Sequence, residues 1–400
     1  MVLLFGTGSS SVGEWVYFIA LNLIVLEMTG SPLAVSMLYI IKPLATLCTN
    51  LWAGSFIDRL NKKYLMILLD LLKATLIFIL PFLTSLGLIY LIVFLVNVAS
   101  SVFEPTSMTY VTKLIPYQDR KRFNSLLSLV TSGAFLIGPA IAGVLFIVGS
   151  PYIAIYINSI ALLISAIITS FMPNLEKDHL RSFNLGELSL RLIKSDLAHV
   201  IKYSRLHIQV MIIYFLFSFV MIIMASAIDS LEAAFAKEVL LLTDSEYGFL
   251  VSIAGAGIVI GAIINSLVVN HLNTFILIGL GTVFVSMGYV IYAFSEVFIV
   301  AAFGFFFLAF FIAFANTGFL TFYQNNIPIE VMGRVRSVFG LFEAILIILL
   351  TTLLGAIAEL YSVKGAVILG VLIMLLISTS LLMLSLRSSK KEMFNDTVNL

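Results

Sequence analysis

The sequence has little charge. Asp, Glu, Lys and Arg together make up 11% of its 400 residues, whereas hydrophobic residues make up 61% and the mean hydropathy is +1.14. A soluble domain carries roughly 25% charged residues. A water-soluble globule of this composition would lack the polar groups to cover its surface, so we expect the chain to have lipid as its solvent.

Other residue types are scarce as well, and each shortage excludes a class of protein. The single cysteine, Cys48, excludes a disulfide framework, and the four histidines have no zinc-ligand spacing. The sequence has no Walker A loop and no Ser/His/Asp constellation, which excludes an ATP-driven pump and argues against an enzyme. A net charge of +1 indicates no nucleic-acid partner. We expect neither a metal nor a cofactor.

The sequence does contain long apolar runs. A hydrocarbon layer about 30 Å thick needs roughly 20 apolar residues per helix. The first run lacks a basic n-region and a cleavage site, so we expect a membrane span there rather than a signal peptide. The twelve predicted spans are Phe5–Leu26, Leu33–Ile57, Tyr64–Leu83, Leu88–Thr109, Leu126–Val148, Tyr152–Met172, Ile208–Ala227, Tyr247–Val269, Phe275–Phe294, Val297–Tyr323, Val338–Ala358 and Gly365–Leu386.

The basic residues lie mostly on one side of the predicted membrane. Of the 22 Lys and Arg residues, Lys237 and Lys364 fall on one side, Lys42 and Lys73 fall within spans, and the remaining eighteen fall on the opposite side. Cytoplasmic segments of membrane proteins carry the excess of Lys and Arg. We therefore expect a multi-pass protein of the plasma membrane with both termini in the cytoplasm.

The longest polar interruption divides the spans into two sets of six. We expect an N-terminal six-helix bundle (1–172), a cytoplasmic linker (173–207), a C-terminal six-helix bundle (208–387) and a cytoplasmic tail (388–400). Apolar residues in the linker have the spacing of an amphipathic surface helix. A plain solvated linker is an equally good interpretation.

A shift of 212 residues aligns parts of the two halves. It places Ile115-Pro116 on Ile327-Pro328 and Arg122 on Arg334. Agreement between these two loops indicates that the halves arose by duplication. Parallel six-span repeats, with a substrate site between them, are one large transporter architecture.

The loop between the second and third spans, Gly54–Lys63, resembles the G-x-x-x-D-R-x-G-[RK]-[RK] signature of the major facilitator superfamily. In that family the loop is a cytoplasmic latch that stabilises the outward-open state by contacts with the other half. Asn61 stands where the family has glycine, and because asparagine tolerates a positive φ we expect the same tight turn. The resemblance assigns the latch to Gly54, Asp58, Arg59, Asn61, Lys62 and Lys63, with Arg334 in the equivalent second-half loop. The alternative interpretation is that Arg59, Lys62 and Lys63 have no latch function and only help to set the membrane topology.

The fifth span, in the stretch Gly133–Gly143, resembles the antiporter motif of exporters in this family, G-x-x-x-G-P-x-x-G-G. Here the first spacing is one residue longer, and Ala142 replaces a glycine. The matching residues are Gly133, Gly138, Pro139 and Gly143. Small residues allow close helix packing and proline permits a bend, so a generic kinked helix explains the same pattern.

A finer resemblance points to the macrolide-efflux and siderophore-exporter branch of the family. It rests on Glu14–Leu21, Leu26–Pro32, Asp70–Ala74 and Ile327–Arg334. Glu14 stands where the branch commonly has aspartate and Lys73 where it commonly has arginine, so the charge is retained. The resemblance implies export but does not fix the substrate.

Ionisable residues within the spans are functional candidates, because a charge at membrane depth costs several kcal/mol unless it is paired or hydrated. They are Glu14, Lys42, Asp70, Lys73, Glu104 and Glu343. Asp70 and Lys73 are three residues apart and can pair on one helix face, whereas Lys42 has the alternatives of pairing with an acid or snorkelling to the interface.

The family resemblance implies that spans 1, 4, 7 and 10 line the cavity. A low-dielectric environment raises a carboxyl pKa towards neutrality, which suits a proton carrier. We therefore expect Glu14 and Glu104 to be the proton-coupling sites, with Glu343 third, and a permanent ion pair is the alternative for each. We expect the cavity wall to be apolar and aromatic, with most phenylalanines of span 10 serving as lipid-facing filler. Its polar candidates are Asn22, Asn97, Asn158, Asn316 and Tyr323.

Together these features predict an all-α membrane protein of twelve helices in two six-helix pseudo-repeats, the major facilitator fold. We expect a monomer that uses protons to export a hydrophobic or amphipathic small molecule, such as a drug or macrolide. The alternatives are an importer or uniporter of another solute, and a non-transporting scaffold or receptor with the same fold.

Overall fold

A computed structural model describes residues 2–50, 57, 60–116, 120–176, 200–269 and 272–389 of the chain. Within these ranges all regular structure is helical, which confirms the predicted all-α class. The long helices are α1 (Val2–Thr29), α2 (Pro32–Asn50), α3 (Lys62–Ile79), α4 (Leu86–Leu114), α5 (Arg120–Val148), α6 (Pro151–Ser170), α7 (Ile208–Ile223), α8 (Asp244–Val268), α9 (Thr274–Ala293), α10 (Phe298–Asn326), α11 (Ile329–Leu360) and α12 (Val363–Ser389).

The helices have the length and composition of membrane spans. In the described part of the chain, eleven are long and apolar enough to cross a bilayer, and a bent pair would make twelve. The pair joins a short helix, Val200–Leu206, to α7 through a bend of 107°. A helix rises 1.5 Å per residue, so runs of 20 to 30 residues match the hydrocarbon thickness. The predicted multi-pass architecture is confirmed.

Helix α7 differs from its prediction. The sequence predicted a span ending at Ala227, whereas helical turns continue to Val239 through two π-helical segments, Met224–Ile228 and Phe235–Val239. A π segment displaces backbone carbonyls from their usual amide partners. Two serine hydroxyls supply replacements, because Ser226 donates to the carbonyl of Ile222 and Ser230 donates to that of Ser226.

The start of α3 corrects a second expectation. Asn61 does not form a left-handed turn, since its φ is −66° and its ψ is 114°. It is instead the N-cap of α3, where its side-chain oxygen accepts a 3.4 Å hydrogen bond from the amide of Tyr64. Asparagine is among the best N-cap residues because it satisfies an amide left without an intrahelical partner.

The chain forms two compact units. The first comprises Met1–Phe183 and Leu241–Ser252, and the second comprises Asn184–Leu240 and Ile253–Leu400. In the first unit α1 packs against α5 and α6, and α3 packs against α4 and α6. In the second, α9 packs against α10 and α12. The predicted amphipathic helix of the linker lies outside the described residues.

Helix boundaries reveal the duplication. The helices α2, α3, α4 and α6 begin 212 residues before α8, α9, α10 and α12, respectively. The pairs of first residues are Pro32 and Asp244, Lys62 and Thr274, Leu86 and Phe298, and Pro151 and Val363. Helices α4 and α10 also end alike, because Ile115 and Ile327, which follow them, are both in extended conformation. The predicted six-helix pseudo-repeat is confirmed.

Candidate functional site

Helix α1 carries a polar stripe around Glu14. Glu14 is exposed, and Thr7, Ser10 and Ser11 lie one and two turns before it with half-buried side chains. Residues three, four and seven apart share one face of a helix. A carboxylate facing hydrocarbon would cost several kcal/mol, so the physical chemistry favours water rather than lipid next to this stripe.

Helix α4 carries a second stripe of the same kind. Glu104 is exposed, and Asn97 and Ser101 precede it on the same face. The amide of Asn97 donates to the carbonyl of Val93 at 2.8 Å, and the hydroxyl oxygens of Ser101 and Thr46 are 3.4 Å apart. These side chains could hydrogen-bond a polar solute or water along the face that presents Glu104.

Two predicted asparagines are buried rather than exposed. Asn22 is fully buried and its side-chain amide donates to the Tyr39 hydroxyl at 3.4 Å, while its oxygen has no hydrogen-bond partner. Asn158 is buried in α6, and its amide oxygen also lacks a partner. Both oxygens lie within the packed interior of the first unit.

Asp70 and Lys73 form a buried ion pair on α3. The Lys73 ammonium lies 2.9 Å from one Asp70 carboxylate oxygen, and the Ser165 hydroxyl of α6 donates to the other oxygen at 2.8 Å. The same ammonium stands 4.2 Å from the centre of the Phe103 ring of α4, within cation–π range. The cluster therefore links three helices of the first unit.

Lys42 lies apart from that cluster. Its side chain is exposed on α2, and it takes part in no ion pair among the described residues. The sequence left Lys42 with the alternatives of pairing with an acid or snorkelling, and the ion pair that the structure describes joins Asp70 to Lys73 without it.

Glu343 lies in an aromatic cluster of the second unit. It is half-buried on α11 and accepts a hydrogen bond of 3.3 Å from the Tyr214 hydroxyl of α7. The Tyr214 ring in turn packs 5.2 to 5.9 Å from the rings of Phe319, Tyr323 and Phe339. Protonation of Glu343 would change its hydrogen bond with Tyr214. Because the Tyr214 ring packs against three other aromatic rings, this change would reach the whole aromatic cluster.

Helix α10 is aromatic throughout, but its side chains differ in exposure. Phe303 is 57% exposed, whereas Phe305 and Phe314 are buried. The expected lipid-facing position therefore suits only some of these rings. Of the polar candidates on this helix, Asn316 is exposed and Tyr323 is buried.

The antiporter-like motif of α5 contains two kinds of glycine. A Cβ atom on Gly138 would lie 2.6 Å from Cβ of Trp15, and one on Gly143 would lie 2.9 Å from the Ser245 carbonyl oxygen. Both glycines therefore permit close packing, and Pro139 beside them is buried. Gly133 differs, because among the described residues no atom beyond its own stretch of helix lies within 4 Å of its Cβ position.

The described part of the latch loop contacts its own unit. The Lys62 ammonium lies 2.9 Å and the Lys113 ammonium 2.7 Å from one carboxylate oxygen of Glu176, and Asn61 donates to the side-chain oxygen of Asn174 at 2.8 Å. Partial burial tends to raise the Glu176 pKa, but the hydrogen bonds from Lys113 and Lys62 outweigh it and lower the pKa. Lys63 is half-buried. Gly54, Asp58, Arg59 and the Arg334 side chain lie outside the described residues.

The sequence analysis missed one acidic site. Asp229 follows the first π segment after α7 and accepts a 2.9 Å hydrogen bond from the Tyr289 hydroxyl of α9, and Glu232 is buried one turn further on. Ending the predicted span at Ala227 placed both acids outside the membrane. The signal was present, because the apolar spacing continues past that point at Met224, Ile228, Leu231 and Phe235.

Comparison with known proteins identifies the family. The profile of the Major Facilitator Superfamily matches residues 3–351. An uncharacterized MFS-type transporter, YfiS of Bacillus subtilis (strain 168), is 28% identical over 174 residues, which are 43% of this chain and 42% of that protein. The match thus spans less than half of the relative's length.

Solved structures share the whole fold. A mutant of the nucleoside transporter NupG aligns with a TM-score of 0.76 at 11% identity, covering 96% of this chain and 98% of that one. A bacterial homologue of the iron transporter ferroportin, in an inward-facing state, gives 0.74 at 14% identity with the same coverage. A bacterial homologue of the lysosomal transporter Spinster gives 0.73 at 12%, covering 99% and 98%. The helical repeat, the family match and these three alignments agree: the chain belongs to the Major Facilitator Superfamily and has its transporter fold.

Proposed function

We propose that the chain is a proton-coupled exporter of a hydrophobic or amphipathic small molecule, such as a drug or macrolide. It works by alternating access as a monomer in the plasma membrane, with both termini in the cytoplasm. Glu14 and Glu104 carry the transported proton, and Glu343 is the third candidate.

One observation carries the proposal: the first unit presents two exposed glutamates, each on a stripe of small polar side chains on a membrane-spanning helix. Glu14 lies with Thr7 and Ser10 on α1, and Glu104 lies with Asn97 on α4. Neither glutamate pairs with a basic residue in the described part of the chain. A permanently paired carboxylate would serve only structure, whereas these two are accessible to protons and to a solute.

The coupling follows from charge. When Glu14 and Glu104 are ionised, their charge favours a conformation that keeps them hydrated, and protonation removes that preference. A substrate that interacts better with one protonation state then moves against the proton, because a ligand shifts a conformational equilibrium by its differential affinity for the two states. The halves would rock between inward-open and outward-open states around the site.

The packing of α5 supports the export direction. Gly138 and Gly143 lie at close helix contacts and Pro139 is buried between them, as the exporter motif requires. The excess of basic residues on one side supports cytoplasmic termini. The phenylalanine-rich helix α10 supports an apolar substrate.

The test is accumulation of a fluorescent lipophilic cation and of a macrolide in cells that lack their own efflux pumps. Cells making the wild-type chain should accumulate several-fold less of at least one compound. Glu14→Gln or Glu104→Gln should abolish the difference at matched expression, as should an uncoupler. Glu296→Gln is the matched control, because the Glu296 side chain is highly exposed and pairs only loosely with Lys364, at 4.0 Å.

Different outcomes separate the parts of the proposal. Unchanged accumulation of both compounds would contradict a drug exporter. Lower accumulation that survives both glutamine substitutions and the uncoupler would contradict proton coupling. Higher accumulation in wild-type cells would identify an importer.

A further inference from the structure

The first unit contains a long apolar groove that the proposed transport cycle does not use. It is lined by α1, with Phe5 and Gly8, and by α5 and α6, with Leu129, Gly133 and Ile160. Its volume is about 850 Å³, within the range of small-molecule sites. Ser9 supplies the only polar side chain among the lining residues.

Small residues let the lining helices pack closely beside the groove. Gly8 faces Val130, and Gly13 faces Asn158 and Ala161, so side chains at either glycine would collide with a wall. Gly133 borders open space, because no described atom beyond its own stretch of helix lies within 4 Å of its Cβ position. The exporter-like motif thus has its last two glycines in helix packing and its first glycine on an empty surface.

The dimensions of the groove match one leaflet of a bilayer. It runs along α1 from Leu4 to Gly13, which is about 14 Å at 1.5 Å per residue. The hydrocarbon core is about 30 Å thick, so the groove spans roughly half of it. It lies at the end of the unit where α1 and α5 begin, and it opens sideways, since Phe5, Leu129 and Ile160 are all more than half exposed.

The sequence at that end adds positive charge. Helix α5 begins with Arg120, Lys121 and Arg122, and its first lining residue, Leu126, follows one turn later. Basic clusters at the cytoplasmic ends of membrane helices attract anionic lipid headgroups. An apolar groove one leaflet long, on a helix whose sequence begins with three basic residues, complements the chemistry of an anionic phospholipid.

We propose that this groove binds one acyl chain of an anionic phospholipid of the leaflet that contacts the start of α5. The acyl chain lies along Gly133 between α5 and α6, and the lipid headgroup lies at the level of Arg120–Arg122. Binding buries methylene groups in a preformed groove, and each methylene contributes about fourfold to the affinity.

Photocrosslinking in phospholipid nanodiscs tests this site. The probe is a phosphatidylglycerol with a diazirine on one acyl chain, in a phosphatidylcholine background. Crosslinks mapped by mass spectrometry should concentrate on groove residues, such as Leu129 and Ile160, over the equally exposed Leu376 of α12. Gly133→Leu should reduce groove labelling at least about tenfold, because the leucine side chain displaces several methylene groups.

Two variants make the result specific. Gly340→Leu is the matched control, because its Cβ position is also open but lies on α11, and it should leave the labelling unchanged. If Gly133→Leu does not give a monodisperse protein, Ile137→Trp fills the groove from its exposed wall. Groove labelling equal to that of Leu376, or unchanged in the filled variants, would overturn the site. Equal labelling by the phosphatidylcholine analogue would overturn the choice of an anionic lipid.

Discussion

The two halves share the starting positions of four helices but differ in the chemistry of the contacts between those helices. Helices α3 and α6 of the first half are joined by Asp70, Lys73 and Ser165. Their counterparts α9 and α12 are joined by a neutral hydrogen bond of 3.0 Å between Ser286 and Ser378. The residue 212 positions after Asp70 is Thr282, and the one after Lys73 is Val285. The first-half contact thus includes an ion pair, whereas the hydrogen bond between the second-half helices joins two neutral hydroxyl groups.

The acidic residues follow the same division. The positions equivalent to Glu14 and Glu104 hold Ser226 and Asn316 in the second half. Two acids of the second half, Glu343 and Asp229, accept hydrogen bonds from tyrosines, Tyr214 and Tyr289. Duplication kept the scaffold, whereas the exposed carboxylates of Glu14 and Glu104 have no acidic counterparts at the equivalent positions.

Breaking the charged helix contact should have the largest effect. Lys73→Met leaves the buried Asp70 carboxylate without its counter-ion and should lower the free energy of unfolding by about 3–5 kcal/mol. Thr282→Val, at the position equivalent to Asp70, should cost about 1 kcal/mol or less, because the Thr282 hydroxyl donates to backbone carbonyls of its own helix. Denaturation followed by tryptophan fluorescence measures both.

A double substitution distinguishes the ion pair from simple packing. Asp70→Asn combined with Lys73→Met removes both charges and should recover part of the lost stability, since no unpaired charge is left buried. Additive losses would show that Asp70 and Lys73 act independently.

Removing the serine hydroxyls of the two helix contacts should have a smaller effect on the free energy of unfolding, and the loss should differ between the halves. Ser165→Ala removes a hydrogen bond to a carboxylate and should cost about 1.5–3 kcal/mol, whereas Ser378→Ala removes a neutral bond worth about 1 kcal/mol. The same unfolding assay compares them. Equal losses in the two halves would contradict the contrast between charged and neutral helix contacts.

The smallest effect on stability should come from the ion pairs of Glu176. Lys62, Lys113 and Glu176 form a cluster in the first half, whereas the equivalent positions hold Thr274, Asn325 and Ser388. Glu176→Gln should lower the free energy of unfolding by about 1 kcal/mol or less at neutral pH, because partly exposed ion pairs are weak.

This loss should depend on pH in a defined direction. The folded state lowers the Glu176 pKa below its ordinary value of 4.5, so the carboxylate stabilises the fold above that pH. The contribution disappears as the pH falls through the folded pKa. The difference in unfolding temperature between wild type and Glu176→Gln should therefore vanish in acid, and a difference that persists there would contradict the ion-pair origin.

The sequence predicted the architecture well because apolar runs and turns directly reflect bilayer thickness. The spans near Pro151–Ser170 and Thr274–Ala293 were placed to within a few residues. It failed at Asn61, where the family's glycine suggested a left-handed turn but the side chain caps α3 instead. It also failed at Asp229, because a hydropathy window stops at acids even where the helical spacing continues.

Side-chain partners were less predictable than helices. The spacing of Asp70 and Lys73 on one helix indicated their contact, since three residues bring two side chains to one face. Nothing in the sequence indicated Ser165 as their third member, because it lies 95 positions away from Asp70. Gly133 and Gly138 belong to the same sequence motif. Only the packing of neighbouring helices shows that Gly138 lies at a helix contact and Gly133 lines the groove.

The most direct measurement of the central claim is proton movement in everted membrane vesicles with an imposed pH gradient. Addition of a transported lipophilic cation or macrolide should discharge the gradient, reported by a pH-sensitive dye, in vesicles with wild-type protein and with the Glu296→Gln control. Vesicles with Glu14→Gln or Glu104→Gln should hold the gradient at matched protein levels. Discharge that persists in both glutamine variants, or transport by the wild type with no proton movement, would contradict a proton-coupled exporter whose coupling sites are these two glutamates.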